Sequence, residues 1–175
     1  MENIDLLKYP QGRFEYSKTY SSADTRQHIA VITEFPKKLS ALAVSLTPEQ
    51  LEKSYRPGGW NAKQIINHLA DSHMNALIRL KLTLTENKPT IKPYDQDGWA
   101  NLEDGKNTPV AVSLSLIDGI HQKLSLILNT LSETDFQKVY IHPEYNKEFK
   151  LEEMIALYAW HGRQHYEHLK IIKNL

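Results

Sequence analysis

Between Leu151 and Ile172 the residues Leu151, Met154, Ile155, Tyr158, Gly162, Leu169 and Ile172 recur at helical spacing. That is the period of an α-helix with one buried side. Two histidines, His161 and His165, fall within or at the edge of the same stripe. Four residues apart on a helix, their rings lie one above the other. Burying an imidazole costs free energy unless its ring nitrogens find partners. The fold must therefore bring something polar to this stripe. One solution is a divalent metal chelated by the pair, as in helical zinc sites. The other is hydrogen bonding to neighbouring helices. Gly162, between the two, weakens the helix by roughly 1 kcal/mol relative to alanine. In return it lets a backbone, a metal or a ligand come close.

Three further stretches carry the helical period. From Ser22 to Ser45 the positions Ile29, Ile32, Phe35, Leu39, Leu42 and Leu46 predict an amphipathic helix. Pro36, inside it, predicts a kink or an opened hydrogen bond. Thr47-Pro48-Glu49 starts a short helical turn, and residues 55–59 read as a loop. Asn61 and Gln64 have capping-box spacing, opening a second long helix that runs to about Thr85. Thr108 as N-cap with Pro109 at the first helical position opens a third, through about Leu131. The stripe described first belongs to a fourth, over roughly Lys150–Lys173. The Lys and Glu residues at 147–153 read as its solvated start.

Residues 1–20 carry Pro10, Gly12 and four aromatics without helical period, and read as an ordered arm laid over the domain. Residues 87–107 have no sustained period either, and a connection that long is more often a lid or binding loop than a linker. No convincing strand pair appears. The expectation is a single domain over residues 1–175, an all-α four-helix bundle of antiparallel type.

Composition narrows the chemistry. Lys plus Arg and Asp plus Glu number 21 each, so no net field attracts nucleic acid or anionic lipid. The chain has no cysteine, which removes disulfides, thiolate ligands and a cysteine nucleophile together. Imidazole and carboxylate remain for metal chemistry. Neither a secretion signal nor an apolar run near the ~18 residues of a membrane span is evident, so a cytoplasmic protein with no membrane partner is expected.

A third metal ligand has one leading candidate. On the second helix His68, Ser72, Asn75 and Arg79 form a polar strip whose residue types suit the lining of a cleft better than a solvated face. Asp71, three residues after His68, could orient an imidazole through its carboxylate or act as a base. His168, one turn beyond His165, could be a ligand, a partner to a ligand, or solvent-facing. His28, His73, His121 and His142 are assigned to surface, packing or undefined roles, and Trp60, Trp99 and Trp160 to core or hinge positions. On periodicity alone, packed histidines and a three-histidine metal site explain the pattern equally well.

Three separated segments weigh in favour of the metal. The run Arg56-Pro57-Gly58-Gly59-Trp60-Asn61-Ala62-Lys63-Gln64, continuing through His68, Asp71, Ser72 and Asn75, resembles the signature of the YfiT-like branch of the DinB superfamily. So do Pro89-Thr90-Ile91-Lys92-Pro93-Tyr94-Asp95 with Trp99, and Leu157-Tyr158-Ala159-Trp160-His161-Gly162-Arg163-Gln164-His165 with His168. Tyr9-Pro10-Gln11-Gly12-Arg13-Phe14 is similar to the opening motif of that family. The resemblance implies a four-helix bundle with one divalent metal held by His68, His161 and His165, and often a homodimer. Members are labelled metal-dependent hydrolases, and several relatives transfer low-molecular-weight thiols such as bacillithiol. Members frequently carry adjacent histidines before the last ligand, and here the first of that pair is Gln164.

Three neutral imidazoles would leave a metal its full charge and an open coordination position. Zinc is the expected ion on availability, with nickel or another first-row ion able to use the same nitrogens. Such an ion can activate water for hydrolysis or stabilise a thiolate supplied from outside. With no carboxylate clearly placed as a general base, transfer of a small thiol to an electrophilic substrate is favoured over hydrolysis. Asn75, Arg79 and Tyr94 are the expected contacts to the thiol or substrate, under a cover formed by residues 89–99. A non-enzymatic bundle, binding or stress-associated, whose histidines merely pack is the alternative of another class.

Overall fold

Each of the four expected long helices forms where its apolar period runs. The computed structural model describes residues 4–175, so the first three residues of the expected arm lie outside it. In chain order the elements are α1 (Ile4–Lys8), α2 (Ser22–Val44), α3 (Pro48–Leu51), α4 (Ala62–Thr85), α5 (Gln96–Ala100), α6 (Glu103–Asn107), α7 (Val110–Leu128), α8 (Glu133–Phe136), β1 (Val139–His142), β2 (Lys147–Lys150) and α9 (Leu151–Lys173). Reciprocal capping boxes fix the starts of α2, from Ser21, and of α4, from Asn61 with Gln64.

α2 and α4 each pack chiefly against α7 and α9. The order around the bundle is thus α2–α7–α4–α9: α4 and α7 lie side by side, but α2 and α4, like α7 and α9, lie across its diagonal. A simple up-and-down bundle would make them neighbours. The core falls into two clusters. One gathers Ile29, Leu80, Leu124, Leu128 and Ile155, and the other Leu39, Ile65, Leu69, Ile117 and Leu169. α7 is 19 residues long and apolar enough, by length and composition alone, to cross a membrane, contrary to the expectation of no such run. Its buried side, Ile117, Ile120, Leu124 and Leu128, is that of a bundle helix.

The structure departs from the sequence-based expectations at four other places. β1 and β2 form an antiparallel hairpin, pairing Tyr140 with Phe149, where no strand pair was expected. Each strand has only four residues, too few for alternation to register against the helical pattern around it. The segment 87–107 is not irregular throughout. It docks on the hairpin through Ile91 N–H to the Ile141 carbonyl (3.0 Å) and Ile141 N–H to the Pro89 carbonyl (2.9 Å), then forms α5 and α6. Because α6 runs to Asn107, Thr108 closes that helix by donating to the Asp104 carbonyl and is not the cap of α7, which starts at Val110.

The Lys and Glu cluster at 147–153 is not a solvated helix start. Glu152 and Glu153 are 2% and 6% exposed. Glu152 accepts from Gln137 Nε2 (2.6 Å), while Glu153 accepts from Ser17 N–H (2.7 Å) and Lys147 Nζ (2.9 Å). Carboxylates at the first turn of α9 also sit at the favourable end of its dipole. Through Glu153 they tie the N-terminal arm to the bundle, as the reading of residues 1–20 as an ordered arm requires.

Candidate metal centre

His68 from α4 and His161 and His165 from α9 offer ligand atoms that all lie within 4.8 Å of one another. His68 is 2% exposed and its Nε2 stands 3.1 Å from His161 Nε2. Two nitrogens bound at zinc's usual 2.0–2.1 Å in tetrahedral geometry are about 3.3 Å apart, so this spacing fits a shared ion. Burial pulls all three imidazoles below the usual histidine range, His68 and His165 well below and His161 to about 4, with their mutual proximity adding to the effect for His68 and His165. At neutral pH they are uncharged, the state a metal ligand needs. The donor set therefore suits a divalent first-row ion.

Around these three stand other histidines that the sequence reading assigned to surface, packing or undefined roles. His73 and His121 are each 1% exposed. His73 Nε2 lies 3.3 Å from His161 Nδ1, His73 Nδ1 lies 2.7 Å from His121 Nε2, and His121 Nδ1 lies 2.7 Å from the Ile32 carbonyl. The Phe35 ring stacks on His73 and leans on His121. A signal for His121 was present. It lies on the Ile117, Ile120, Leu124 stripe of α7, and so points inward.

The close approach at Gly162 is made by an aromatic ring, not by a metal or ligand. A Cβ there would stand 3.1 Å from Phe35 Cδ2 and Cε2. On the other side of the site His168 Nδ1 lies 3.3 Å from His165 Nδ1, and its Nε2 lies 3.2 Å from the Lys8 carbonyl. His168 is therefore beside His165 rather than solvent-facing, and its ring stacks on Tyr55 at 4.0 Å.

His161 and His165 open into a cleft of about 530 Å³ that also receives Trp60, Tyr94, Tyr158 and Arg79. Trp60 packs against His68 (4.6 Å) and parallel to His165 (6.1 Å), so it walls the site rather than serving as a hinge. Arg79 Nη1 is 3.3 Å from the Tyr158 hydroxyl. Among the described residues three buried side-chain polar atoms lack a hydrogen-bond partner, His28 Nδ1, Arg79 Nε and His142 Nδ1. Two of the three, on Arg79 and His142, belong to residues lining this cleft. Burial holds the Tyr94 and Tyr140 phenols protonated, as donors.

Of the residues expected to touch substrate, the structure brings Arg79 and Tyr94 into the cleft but not Asn75. Its Nδ2 donates to the Asp71 carbonyl one turn back (2.9 Å). Asp71 is half-buried, with its carboxyl pushed up to about 6 by burial and by Asp104. Among the described residues the hydrogen-bond partners of the His68, His161 and His165 rings are imidazoles, with no carboxylate among them. Gln164, at the departure from the family pattern, uses both ends of its amide on the arm. It accepts from Gln11 N–H (3.0 Å) and donates to the Lys8 carbonyl (2.7 Å).

The chain is similar to known proteins. A protein of Oceanobacillus iheyensis named "Putative metal-dependent hydrolase" is 44% identical over 162 residues, covering 93% of each chain. One of the same name from Bacillus licheniformis is 40% identical over 167 residues, covering 95% of each. The solved structure of YfiT from Bacillus subtilis, described as a "probable metal-dependent hydrolase with an unusual four-helix bundle topology", superposes with a TM-score of 0.93. It is 37% identical and covers 97% of each chain. The DinB superfamily model matches residues 32–169. With its fold, its three-histidine cluster and its relatives in agreement, the chain belongs to the DinB superfamily as a YfiT-like member.

Proposed function

We propose that this protein is a metal-dependent enzyme that joins a low-molecular-weight thiol to an electrophilic small molecule, with His68, His161 and His165 holding the ion. The observation that carries this is the set of partners around the ligands. They hydrogen-bond to imidazoles and not to a carboxylate, so no carboxylate base is tied to the ligand rings. A thiol loses its proton far more readily than water and needs no such base. A bound divalent ion would supply Lewis acidity, stabilising the nucleophile's negative charge.

The chain's own residues do the rest. Trp60 and Tyr158 wall the metal end of the cleft. Arg79, with a buried Nε free of partners, stands ready for an anionic group on the thiol or its acceptor, and His142, with an unpartnered Nδ1, adds a polar ring to the same cleft. A guanidinium matches carboxylate geometry, and leaving its Nε donor buried and empty costs about 1–3 kcal/mol. Tyr94, from the segment that covers the cleft, adds a phenol donor.

Hydrolysis is the second reading, favoured by the names of the relatives. Incubating zinc-loaded protein with an electrophile such as 1-chloro-2,4-dinitrobenzene, with and without cysteine as thiol, and with p-nitrophenyl acetate for hydrolysis, separates the two. Thiol-dependent turnover is expected, lost in His161→Ala. Ester cleavage independent of thiol, with no thioether formed, would overturn transfer.

A further inference from the structure

A neutral imidazole binds a metal only through the nitrogen that carries no proton, so the tautomer of each ligand decides whether the site is ready. Pro36 begins the chain of contacts that settles this for His161. It has no N–H, so the Ile32 carbonyl four residues earlier in α2 has no helical donor. His121 Nδ1 fills that place at 2.7 Å. A carbonyl can only accept, so His121 carries its proton on Nδ1 and its Nε2 accepts. That nitrogen faces His73 Nδ1 at 2.7 Å, which must therefore be the protonated one. His73 Nε2 then accepts from His161 Nδ1 at 3.3 Å. What remains on His161 is a bare Nε2, the atom that stands 3.1 Å from His68 Nε2.

His165 stands at the near end of a second, shorter chain. His168 Nε2 lies 3.2 Å from the Lys8 carbonyl, so the proton sits there and His168 Nδ1 accepts. Its neighbour at 3.3 Å is His165 Nδ1, which donates and leaves His165 Nε2 bare. Both chains end on a backbone carbonyl, an acceptor whose polarity cannot reverse.

We propose that His121, His73 and His168 are positioning residues, forming two imidazole relays that lock both metal ligands of α9 in the Nδ1–H tautomer before any ion arrives. This rests on His68, His161 and His165 being the ligands. Free neutral histidine favours the Nε2–H form, which would occupy the nitrogen the metal needs. The relays remove that competition and orient the rings, as carboxylates and carbonyls beside metal-bound histidines commonly do. Phe35, stacked on His73 and leaning on His121, holds the longer relay in plane contact.

Long-range proton–nitrogen NMR of the imidazoles in full-length protein, metal-free and zinc-loaded, reads the tautomers directly. In both states His73, His121, His161 and His165 are expected as Nδ1–H and His168 as Nε2–H. Finding His73 or His121 as Nε2–H would overturn the relay. Zinc affinity, measured by competition with a chromophoric chelator, is expected to fall roughly 10–100-fold in His121→Phe. His73 and His161 should then show mixed tautomers in the metal-free variant. An unchanged affinity in a folded His121→Phe protein would also overturn it. Should that variant fail to fold, the wild-type spectra decide alone. Wild-type protein that takes up no zinc yet shows the full tautomer pattern would sink the metal assignment and leave the relay standing.

Discussion

Gln164 Nε2 and His168 Nε2 converge on one acceptor, the Lys8 carbonyl, at 2.7 and 3.2 Å. The N-terminal arm is thereby fastened to the same helix that carries His161 and His165, and its Lys8 and Tyr9 line the cleft. Gln164 is 3% exposed, so its hydrogen bonds are made away from water. Gln164→Ala removes both of its bonds to the arm. The expected cost is about 1–3 kcal/mol in stability. Amide exchange should accelerate at Gln11 and neighbouring arm residues while that of α4 stays slow. Equal exchange across the arm in both proteins would show that Gln164 does not fasten it.

His68→Ala, His161→Ala and His165→Ala should each lose stoichiometric metal while keeping the helical circular dichroism of the parent. Metal analysis after purification without added ions gives the readout. Chelator treatment of the wild type should lower its melting temperature, since an ion that binds only the folded state stabilises it by about 2.7 kcal/mol at a hundredfold excess over Kd. Variants that retain one ion per chain would return the cluster to packed histidines.

How much of this could be read from the chain depends on how far each feature reaches in sequence. The long helices and the pairing of His161 with His165 are local consequences of a 3.6-residue period, and so were legible. His68 was legible because its strip holds polar residues that solvated faces seldom use. Order around the bundle was not, since periodicity says which face is buried but not which helix buries it. The hairpin was hidden by its four-residue strands. His73 and His121 escaped because buried histidines look alike until their partners are known. Their chain of contacts ends on the Ile32 carbonyl, freed by Pro36, from a different helix. The opened hydrogen bond expected at Pro36 was visible, but what would fill it was not.

Gly162→Ala tests the close contact inside α9. Alanine would gain about 1 kcal/mol of helix propensity. Its Cβ would meet the Phe35 ring at 3.1 Å, and that ring, 5% exposed, packs against both His73 and His121. The ring must give way by a few tenths of an ångström inside a packed core, and overpacking of this kind typically costs 1–3 kcal/mol. A net loss of about 1 kcal/mol by urea denaturation is expected. A variant more stable than the parent would mean that Phe35 can shift and that helix propensity wins.

Asp71 supplies a test in pH. Its carboxyl is pushed up from 3.8 to about 6 by burial, with Asp104 adding to it, so folding favours its protonated form. The stability this provides is fully present below pH 3.8 and is lost as pH rises through 6. The full difference between the two values would be about 3 kcal/mol, but Asp71 is only half-buried, and screening by solvent brings the expected effect nearer 1 kcal/mol. Asparagine carries no charge at any pH. Metal-free Asp71→Asn should therefore be more stable than the parent at pH 7, with the advantage closing toward pH 4. Paired urea titrations across that interval measure it. An advantage that persists unchanged at pH 4 would assign the gain to packing and remove charge burial as its cause.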